Sequence, residues 1–155
     1  MSIVLLVDND DSLPLLLHLA IKRSGLPIEL HSVCDGEEVV QYLTRKGEYE
    51  DQFRHPFPSL VLLDLKMLRM NGFEVLEWKR AQPQLEGVPV VIWSSSSLQE
   101  DRERALRLGA LMYFVKPMES SGFLDLLNTI ESRCNVATKR ARKFRSTSQA
   151  KSNSA

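Results

Sequence analysis

The sequence predicts a single α/β domain built on a five-stranded parallel sheet with helices on both faces. Five short, continuous apolar runs alternate with five stretches of helical periodicity. Continuous apolar runs are typical of strands buried on both faces, and parallel neighbours need a helical crossover between them. The 155 residues suffice for one such domain and are too few for two. The predicted strands are Ile3–Val7, Ile28–Val33, Leu60–Leu63, Val88–Trp93 and Leu111–Val115.

The helices are bounded by recognisable start and stop residues. Serine and aspartate favour helix starts, whereas glycine and proline mark the ends. A capping box over Ser97–Glu100 predicts the start of the fourth helix, and the fifth carries an apolar stripe from Phe123 and Leu124 to Ile130. The expected helices are Ser12–Ser24 (with Asp11 or Ser12 as cap and Gly25 as stop), Asp35–Arg45, Asn71–Gln82 (stopped by Pro83), Ser97–Gly109 and one beginning near Ser121.

The connection Lys46–Pro58 is longer than usual between a helix and a strand, and it contains several aromatic residues. Two interpretations remain open at this point. The segment is either a partner-binding loop or a surface insertion of the kind that loops tolerate at small entropic cost.

Charge is distributed unevenly, although the formal net charge is zero. All 20 acidic residues lie within residues 1–131, whereas residues 132–155 contain lysine and arginine but no acid. We therefore expect a domain over residues 1–133 and a basic, Ser-rich tail over residues 134–155 that does not fold alone. Simple electrostatics would allow such a tail to contact nucleic acid or a membrane surface.

Composition favours a protein without membrane insertion, located in the cytoplasm. The chain is 43% hydrophobic and 26% charged, and its longest apolar runs are far shorter than a membrane span. No basic, apolar leader precedes the first strand. Cys34 and Cys134 lack metal-ligand spacing and are expected to be buried or incidental thiols.

Polar side chains follow four of the predicted strands. Asp8, Asn9, Asp10 and Asp11 come after the first, Asp64 after the third, Ser94 after the fourth and Lys116 after the fifth. In a doubly wound sheet the carboxyl ends of the strands meet at the ligand-binding edge. Clustered carboxylates there repel each other unless a divalent cation or a raised pKa relieves the repulsion, and oxygen ligands suit Mg²⁺.

Asp64 is the best candidate nucleophile of this group. A carboxylate can form an aspartyl phosphate, and phosphoryl transfer depends mainly on positioning and charge neutralisation. Lys116 would balance the phosphoryl charge, and Ser94 would donate a hydrogen bond to a phosphoryl oxygen.

The sequence resembles the response-regulator receiver domain over residues 3 to about 131. The similarity is carried by segments with matching spacing: Leu5–Asp8, Asp35–Glu38, Leu63–Met67, Asn71–Leu76, Pro89–Ile92 with Ser94, and Gly109–Ala110 through Tyr113 to Lys116–Pro117. The long connection before the third strand is similar to that of single-domain regulators that serve phytochrome-type histidine kinases. The resemblance implies a flavodoxin-like fold with strand order 2-1-3-4-5.

The same resemblance implies a set of roles. Asp64 would accept a phosphoryl group from a kinase phosphohistidine, and Ser94 and Lys116 would bind that group. Tyr113 would turn inward as the switch residue. Magnesium would be held by Asp8, Asn9, Asp64 and the backbone carbonyl of Lys66, and the protein would not be an enzyme beyond its own phosphorylation and dephosphorylation. A homodimer would form through the fourth helix, the fifth strand and the fifth helix, where Leu111, Met112 and Phe114 lie.

Three residues depart from the family pattern. Asn9 stands where a second acid is usual, so we expect Mg²⁺ to bind weakly and phosphorylation to be slow unless Asp10 or Asp11 substitutes. Leu68 replaces a common proline, which predicts a less rigid loop after Asp64. Trp93 places an indole directly before Ser94, where we expect it to be core packing.

Other classes of protein remain as alternatives. Asn9 and Leu68 are also compatible with an interaction module that has the receiver fold but is not phosphorylated. The segment Val7–Leu13 resembles the first motif of haloacid-dehalogenase-type phosphatases, with Asp8 as nucleophile and Asp10 as acid, but that interpretation leaves Asp64 without a role. A flavodoxin-like cofactor carrier is disfavoured because the acidic loop after the first strand would repel a phosphate.

Overall fold

The computed structural model describes residues 1–10, 12–116 and 122–134. Five strands and five α-helices alternate along these residues, as the sequence predicts. The strands are β1 (Ser2–Val7), β2 (Ile28–Val33), β3 (Leu60–Leu63), β4 (Val90–Ser94) and β5 (Met112–Val115). The helices are α1 (Ser12–Ser24), α2 (Gly36–Leu43), α3 (Gly72–Arg80), α4 (Gln99–Arg107) and α5 (residues 122–134). Two short 3₁₀ helices, Gly47–Glu50 and Pro83–Leu85, lie in the connections.

All five strands are parallel, and their order across the sheet is β2-β1-β3-β4-β5. The predicted fold class and strand order are therefore confirmed. Each residue of β3 and β4 is buried, which explains why these strands are continuous apolar runs rather than alternating ones. β2 lies on one side of β1 and β3 lies on the other, so the winding direction of the chain reverses between β1 and β3. The carboxyl ends of β1 and β3 therefore lie at the switch point of the sheet.

The strands separate two hydrophobic cores because neighbouring side chains point to opposite faces. Leu5 and Val7 of β1 contribute to the core beneath α2, α3 and α4, whereas Val4 and Leu6 contribute to the core beneath α1 and α5. Burying a leucine or valine side chain of this kind stabilises a fold by roughly 1.5–3 kcal/mol. The two cores together hold the sheet rigid beneath its carboxyl edge.

Some predicted boundaries are wrong in detail. The helix α4 begins at Gln99 with Leu98 as its N-cap, and no side chain caps it, so the predicted Ser97 capping box does not form. The N-cap thus lies one residue downstream of the prediction, and it is Ser96 whose Oγ accepts a hydrogen bond from the Leu98 N–H and donates one to Asp101. Leu124, placed on the apolar stripe of α5, is half exposed, because that stripe is carried by its neighbours.

The segment 46–58 is well folded. Tyr49 is buried between the rings of Tyr42 and His55, with centroids 5.0 and 4.9 Å away. Arg45, which adopts a left-handed conformation (φ 59°), donates hydrogen bonds to the carbonyls of Tyr49 and His55. Phe53 is almost completely exposed at the tip. The connection is thus an aromatic cluster closed by an arginine, and its role stays open between the two interpretations above.

Some predictions fall on residues that lie outside the described part of the chain. They are the cap at Asp11, the start of α5 at Ser121 and the basic tail from residue 135 onward.

Candidate functional site

The carboxyl edge of the sheet brings together three charged side chains from three segments. Asp8 follows β1, Asp64 follows β3 and Lys116 follows β5. Lys116 Nζ lies 2.7 Å from Asp8 Oδ2 and 3.0 Å from Asp64 Oδ2. Both carboxylates are nearly inaccessible, and the lysine side chain is 18% exposed. One ammonium group therefore bridges two buried acids at the predicted site.

The strand ends fix these side chains through the backbone. The Asp8 N–H donates to the Val33 carbonyl, and the Asp64 N–H donates to the Val7 carbonyl, which continue the sheet pairing by one residue. Similarly, the Lys116 N–H donates to the Ser94 carbonyl at 2.7 Å. Because the sheet extends to these residues, their side chains leave rigid backbone rather than mobile loops.

Burial governs the protonation of the site. Burial raises the pKa of Asp64 above its ordinary value of 3.8, against the hydrogen bond and charge of Lys116, which lower it. Burial also tends to lower the pKa of Lys116, but its hydrogen bonds to Asp8 and Asp64 outweigh this and leave that pKa above the ordinary 10.5. The lysine is thus held fully charged, and it offsets part of the cost of burying two acids.

The second oxygens of the two acids face the loops. Asp8 Oδ1 accepts a hydrogen bond from the Asp10 N–H at 2.9 Å, and Asp64 Oδ1 accepts one from the Lys66 N–H at 3.4 Å. Asn9 and Lys66, which follow Asp8 and Asp64 in the two loops, are exposed. The oxygen donors fit a hard cation such as Mg²⁺, which is usually held by one or two carboxylates together with water.

Asn9 brings an uncharged amide, not a third carboxylate, to the position after Asp8. Within residues 1–10, 12–116 and 122–134, no group of three or more His, Cys, Asp and Glu side chains is arranged to hold one. Asp10 is occupied elsewhere, because its Oδ1 accepts hydrogen bonds from the N–H and the hydroxyl of Ser12 at the start of α1, which lower its pKa.

Two glycines allow the loops to approach the site. A Cβ on Gly72 would lie 2.4 Å from the Asp64 carbonyl oxygen, and a Cβ on Gly36 would lie 2.1 Å from the Met70 carbonyl oxygen. The Gly72 N–H donates to the Leu65 carbonyl and closes the loop after Asp64 at its base. Glycine is required at both positions because the neighbouring atoms are backbone, which cannot move aside.

Ser94 and Tyr113 lie in a second hydrogen-bonded group beside the acids. Ser94 is completely buried, and its Oγ accepts a hydrogen bond from the Ser96 N–H at 3.2 Å. The Tyr113 hydroxyl donates to the Ser96 carbonyl at 2.8 Å, so the ring already lies inward. Ser96 in turn donates to Asp101 of α4 at 2.6 Å. The strand end that carries Ser94 is thus tied to α4 through one serine.

Trp93 is buried beneath the site. Its ring makes an edge contact with Phe123 of α5 at 5.8 Å between centroids, and Lys116 Nζ lies 5.7 Å from the centre of the indole. The core packing expected for this residue is therefore present. The Lys116 ammonium thus lies over the indole ring, and the π electrons of the ring attract its positive charge.

Sequence reasoning missed two residues near the site. Ser96 was hidden within a run of four serines, and nothing in their order indicates which one packs inward. Arg69 lies in the loop after Asp64, and its guanidinium binds Asp35 at the start of α2. A single arginine three residues before α3 carries no recognisable signal, because its partner lies 34 residues away in the sequence.

A shallow groove of about 600 Å³ adjoins the site between the loop after Asp64 and the helices α3 and α4. Arg104 of α4 lies over the ring of Phe73 at 4.2 Å and closes the far side of the groove.

No helix in the described part of the chain is long and apolar enough to cross a membrane.

Comparison with known proteins agrees with this fold. Residues 4–128 match the model of the response regulator receiver domain. The chain therefore belongs to the response regulator receiver domain family, whose members are signalling modules of two-component systems.

Individual similar proteins indicate which kinds of response regulator this chain resembles. The response regulator Rcp1 of Synechocystis sp. is 30% identical over 130 residues, covering 84% of this chain and 86% of Rcp1. A structure of the Mn²⁺-bound form of Rcp1 superposes with a TM-score of 0.73, covering 85% of this chain and 93% of that one. The phosphorylated cyanobacterial phytochrome response regulator RcpA is 31% identical with a TM-score of 0.74 (84% and 91% covered). Response regulator RPA3017, in red light signaling of R. palustris, is 26% identical with a TM-score of 0.77 (84% and 91% covered).

Proposed function

We propose that this protein accepts a phosphoryl group on Asp64 from the phosphohistidine of a histidine kinase of the phytochrome type. The observation that carries the proposal is the buried pair of Asp8 and Asp64 bridged by Lys116 at the carboxyl edge of the sheet. Its relatives support the kinase class, since RcpA is a phytochrome response regulator with a phosphorylated structure. We assign the function to residues 1–133, with the basic residues 134–155 as a tail.

The transfer replaces a phosphorus–nitrogen bond by a phosphorus–oxygen bond. An Asp64 carboxylate oxygen bonds to phosphorus while the bond to the kinase histidine breaks, and the histidine nitrogen keeps the electron pair and takes up a proton. Lys116 already touches Asp64 at 3.0 Å, so its ammonium is placed to neutralise the arriving charge. Ser94 Oγ accepts the Ser96 N–H, which leaves its O–H to donate to a phosphoryl oxygen.

A divalent cation completes this charge balance. We assign Mg²⁺ to Asp8, Asn9, Asp64 and the Lys66 carbonyl, and when bound it would neutralise phosphoryl oxygens that Lys116 does not reach. The Mn²⁺-bound structure of Rcp1 supports a divalent site in this subgroup.

The phosphoryl-accepting role predicts a mass gain of one phosphoryl group. Incubation with Mg²⁺ and a small phosphodonor such as phosphoramidate should modify the wild-type protein once, in an acid-labile form, and should leave Asp64→Asn unmodified because an amide cannot accept the group. Intact-mass measurement with peptide mapping checks both outcomes. Asp125→Asn on α5, an exposed acid that does not belong to the charged group at the carboxyl edge of the sheet, is the matched control and should be modified like the wild type.

The result also decides between the alternatives. An unmodified wild-type protein that stays folded would favour the phosphorylation-independent interaction module. Phosphate mapped to Asp8 would favour the phosphatase interpretation. The observed contacts disfavour that interpretation, because Asp10, which would be the general acid, accepts two hydrogen bonds from Ser12.

Asn9 predicts a specific gain of function. Asn9→Asp should tighten Mg²⁺ binding roughly tenfold, because a charged ligand replaces an amide beside two acids, and should speed phosphorylation at low Mg²⁺. Titration calorimetry of both proteins gives the two dissociation constants. Asn71→Asp, at the half-buried N-cap of α3, is a control for added charge near the site. Equal affinities for wild type and Asn9→Asp would contradict the assigned ligand role.

Two apolar surfaces are candidates for the partners. Helix α1 starts beside Asp8 and exposes Leu15, Leu16 and Leu19, which we assign to kinase docking. Leu111 and Val115 are also exposed, and we assign them to the homodimer expected through α4, β5 and α5.

A further inference from the structure

We infer that Arg69 is a positioning residue for the divalent cation: it anchors the loop after Asp64 to the start of α2 and so holds the Lys66 carbonyl at the site. This inference rests on the proposed function and assigns to this chain a device that replaces the missing loop proline. It concerns the loop 65–71, which connects the phosphoacceptor to α3.

The anchor consists of two guanidinium nitrogens of Arg69 that both contact one carboxylate oxygen of Asp35. Arg69 Nε lies 3.0 Å and Nη2 2.8 Å from Asp35 Oδ2. Asp35 is itself immobilised, because it is buried and its Oδ1 accepts a hydrogen bond from the Glu38 N–H as the N-cap of α2. An arginine that pairs with an ordered, buried carboxylate loses less entropy than one that pairs with a mobile surface acid.

Backbone contacts extend the same junction. The Gly36 N–H donates to the Arg69 carbonyl at 3.2 Å, and Gly36 has no Cβ to collide with the Met70 carbonyl. Met70 adopts a left-handed conformation with φ 49°, which is unfavourable for a residue other than glycine. A loop kept in an unfavourable conformation needs contacts that hold it there. Here Arg69, the preceding residue, is held by Asp35, and the Met70 carbonyl lies against Gly36.

Leu65, Met67 and Met70 pack against the core, but the loop is unsupported at two other positions. Leu68 takes the position at which the sequence resemblance leads us to expect proline, and its side chain is 91% exposed, so it contributes little packing. Lys66, whose carbonyl is the assigned metal ligand, is also exposed. Fixing the loop at Arg69 and at the Gly72 N–H to Leu65 carbonyl hydrogen bond restrains Lys66 from both sides.

A surface ion pair that merely stabilises the fold is the competing explanation, since the Arg69 side chain is 63% exposed. The two explanations differ in what Arg69→Ala changes. A positioning role requires weaker Mg²⁺ binding by the folded protein, whereas a structural role changes only the unfolding temperature.

The test compares Arg69→Ala and Arg69→Lys with a matched control. Arg54→Ala removes another exposed arginine that pairs with an acid, Asp51, at 3.7 Å, in the segment 46–58. We expect Arg69→Ala to weaken Mg²⁺ binding roughly tenfold by titration calorimetry, the loss typical of residues that orient metal ligands. Arg69→Lys should lie between, because it keeps the charge and loses the contact through two nitrogens, and Arg54→Ala should match the wild type.

Two further readouts separate the explanations. Without metal, the amides of residues 66–70 should exchange hydrogen faster in Arg69→Ala than in the wild type. With phosphoramidate, the rate of Arg69→Ala should be low at limiting Mg²⁺ and should approach that of the wild type at saturating Mg²⁺.

The outcomes also distinguish this inference from the proposed function. If the wild type and Arg69→Ala bind Mg²⁺ equally and both are phosphorylated, the inference is overturned and the proposed function stands. A lower unfolding temperature with unchanged Mg²⁺ affinity overturns it as well. A wild type that neither binds Mg²⁺ nor accepts phosphate overturns both.

Discussion

Lys116→Met is expected to abolish most phosphoryl incorporation and to destabilise the protein by about 3 kcal/mol at neutral pH. Methionine keeps the apolar stem above Trp93 but removes the ammonium that bridges Asp8 and Asp64. Two buried acids are then left without their counter-charge, which is the costly way to break a buried ion pair. We expect at least a tenfold lower rate with phosphoramidate, because the arriving phosphoryl charge is no longer neutralised.

The loss of stability should depend on pH in a defined direction. Burial already raises the pKa of Asp64, and removing Lys116 takes away the interaction that lowers it. A buried acid whose pKa is raised favours the folded state while it is protonated, and this contribution disappears as the pH rises from 3.8 through the folded-state pKa. The deficit of Lys116→Met should therefore be small near pH 4 and large at pH 7.

Denaturant unfolding across that pH range, without divalent cations, measures the deficit. Lys22→Met on α1 is the control, because it removes an exposed lysine and should change the stability by less than about 0.5 kcal/mol at any pH. A pH-independent deficit for Lys116→Met would contradict the charge-balance argument, and unchanged phosphorylation would contradict the role of Lys116.

The fold was predictable because its signals are local. The apolar run Leu60–Leu63 is fully buried, and Gly25 and Gly109 end their helices with positive φ, as glycine at those positions indicates. The errors fall where a distant or competing contact decides the outcome. Ser97 has the sequence of a helix cap, but Ser96 takes the hydrogen bonds because Tyr113 and Asp101 hold it in place.

The site was predictable in part for a similar reason. Asp8, Asp64 and Lys116 each follow a strand, so the parallel topology alone brings them to one edge. The support of the loop after Asp64 was not predictable. Leu68 suggested a loose loop, whereas Arg69 supplies an anchor on Asp35, a contact between segments that no local pattern reveals. The functional roles of Asp8, Asp64 and Lys116 remain predictions.

Gly72→Ala is expected to destabilise the protein by about 3 kcal/mol, because inserting a methyl group against rigid atoms forces the backbone to shift. The added Cβ would lie 2.4 Å from the Asp64 carbonyl oxygen and 2.9 Å from the Leu65 Cα. Relief requires α3 to move away from β3, which displaces the loop 65–71. Phosphoryl incorporation should therefore fall together with stability, although no reacting group is altered.

Gly87→Ala provides the matched control, since a Cβ there meets no atom within 4 Å and the residue is not in the left-handed region. That change should leave phosphorylation unaltered and stabilise the protein by roughly 0.5 kcal/mol, because alanine restricts the unfolded chain. For a domain of this size the two variants should differ in unfolding temperature by roughly 10 °C. Equal stability of the two variants would show that α3 can retreat from Asp64 at little cost, and the close approach of Gly72 would then not be what fixes Asp64.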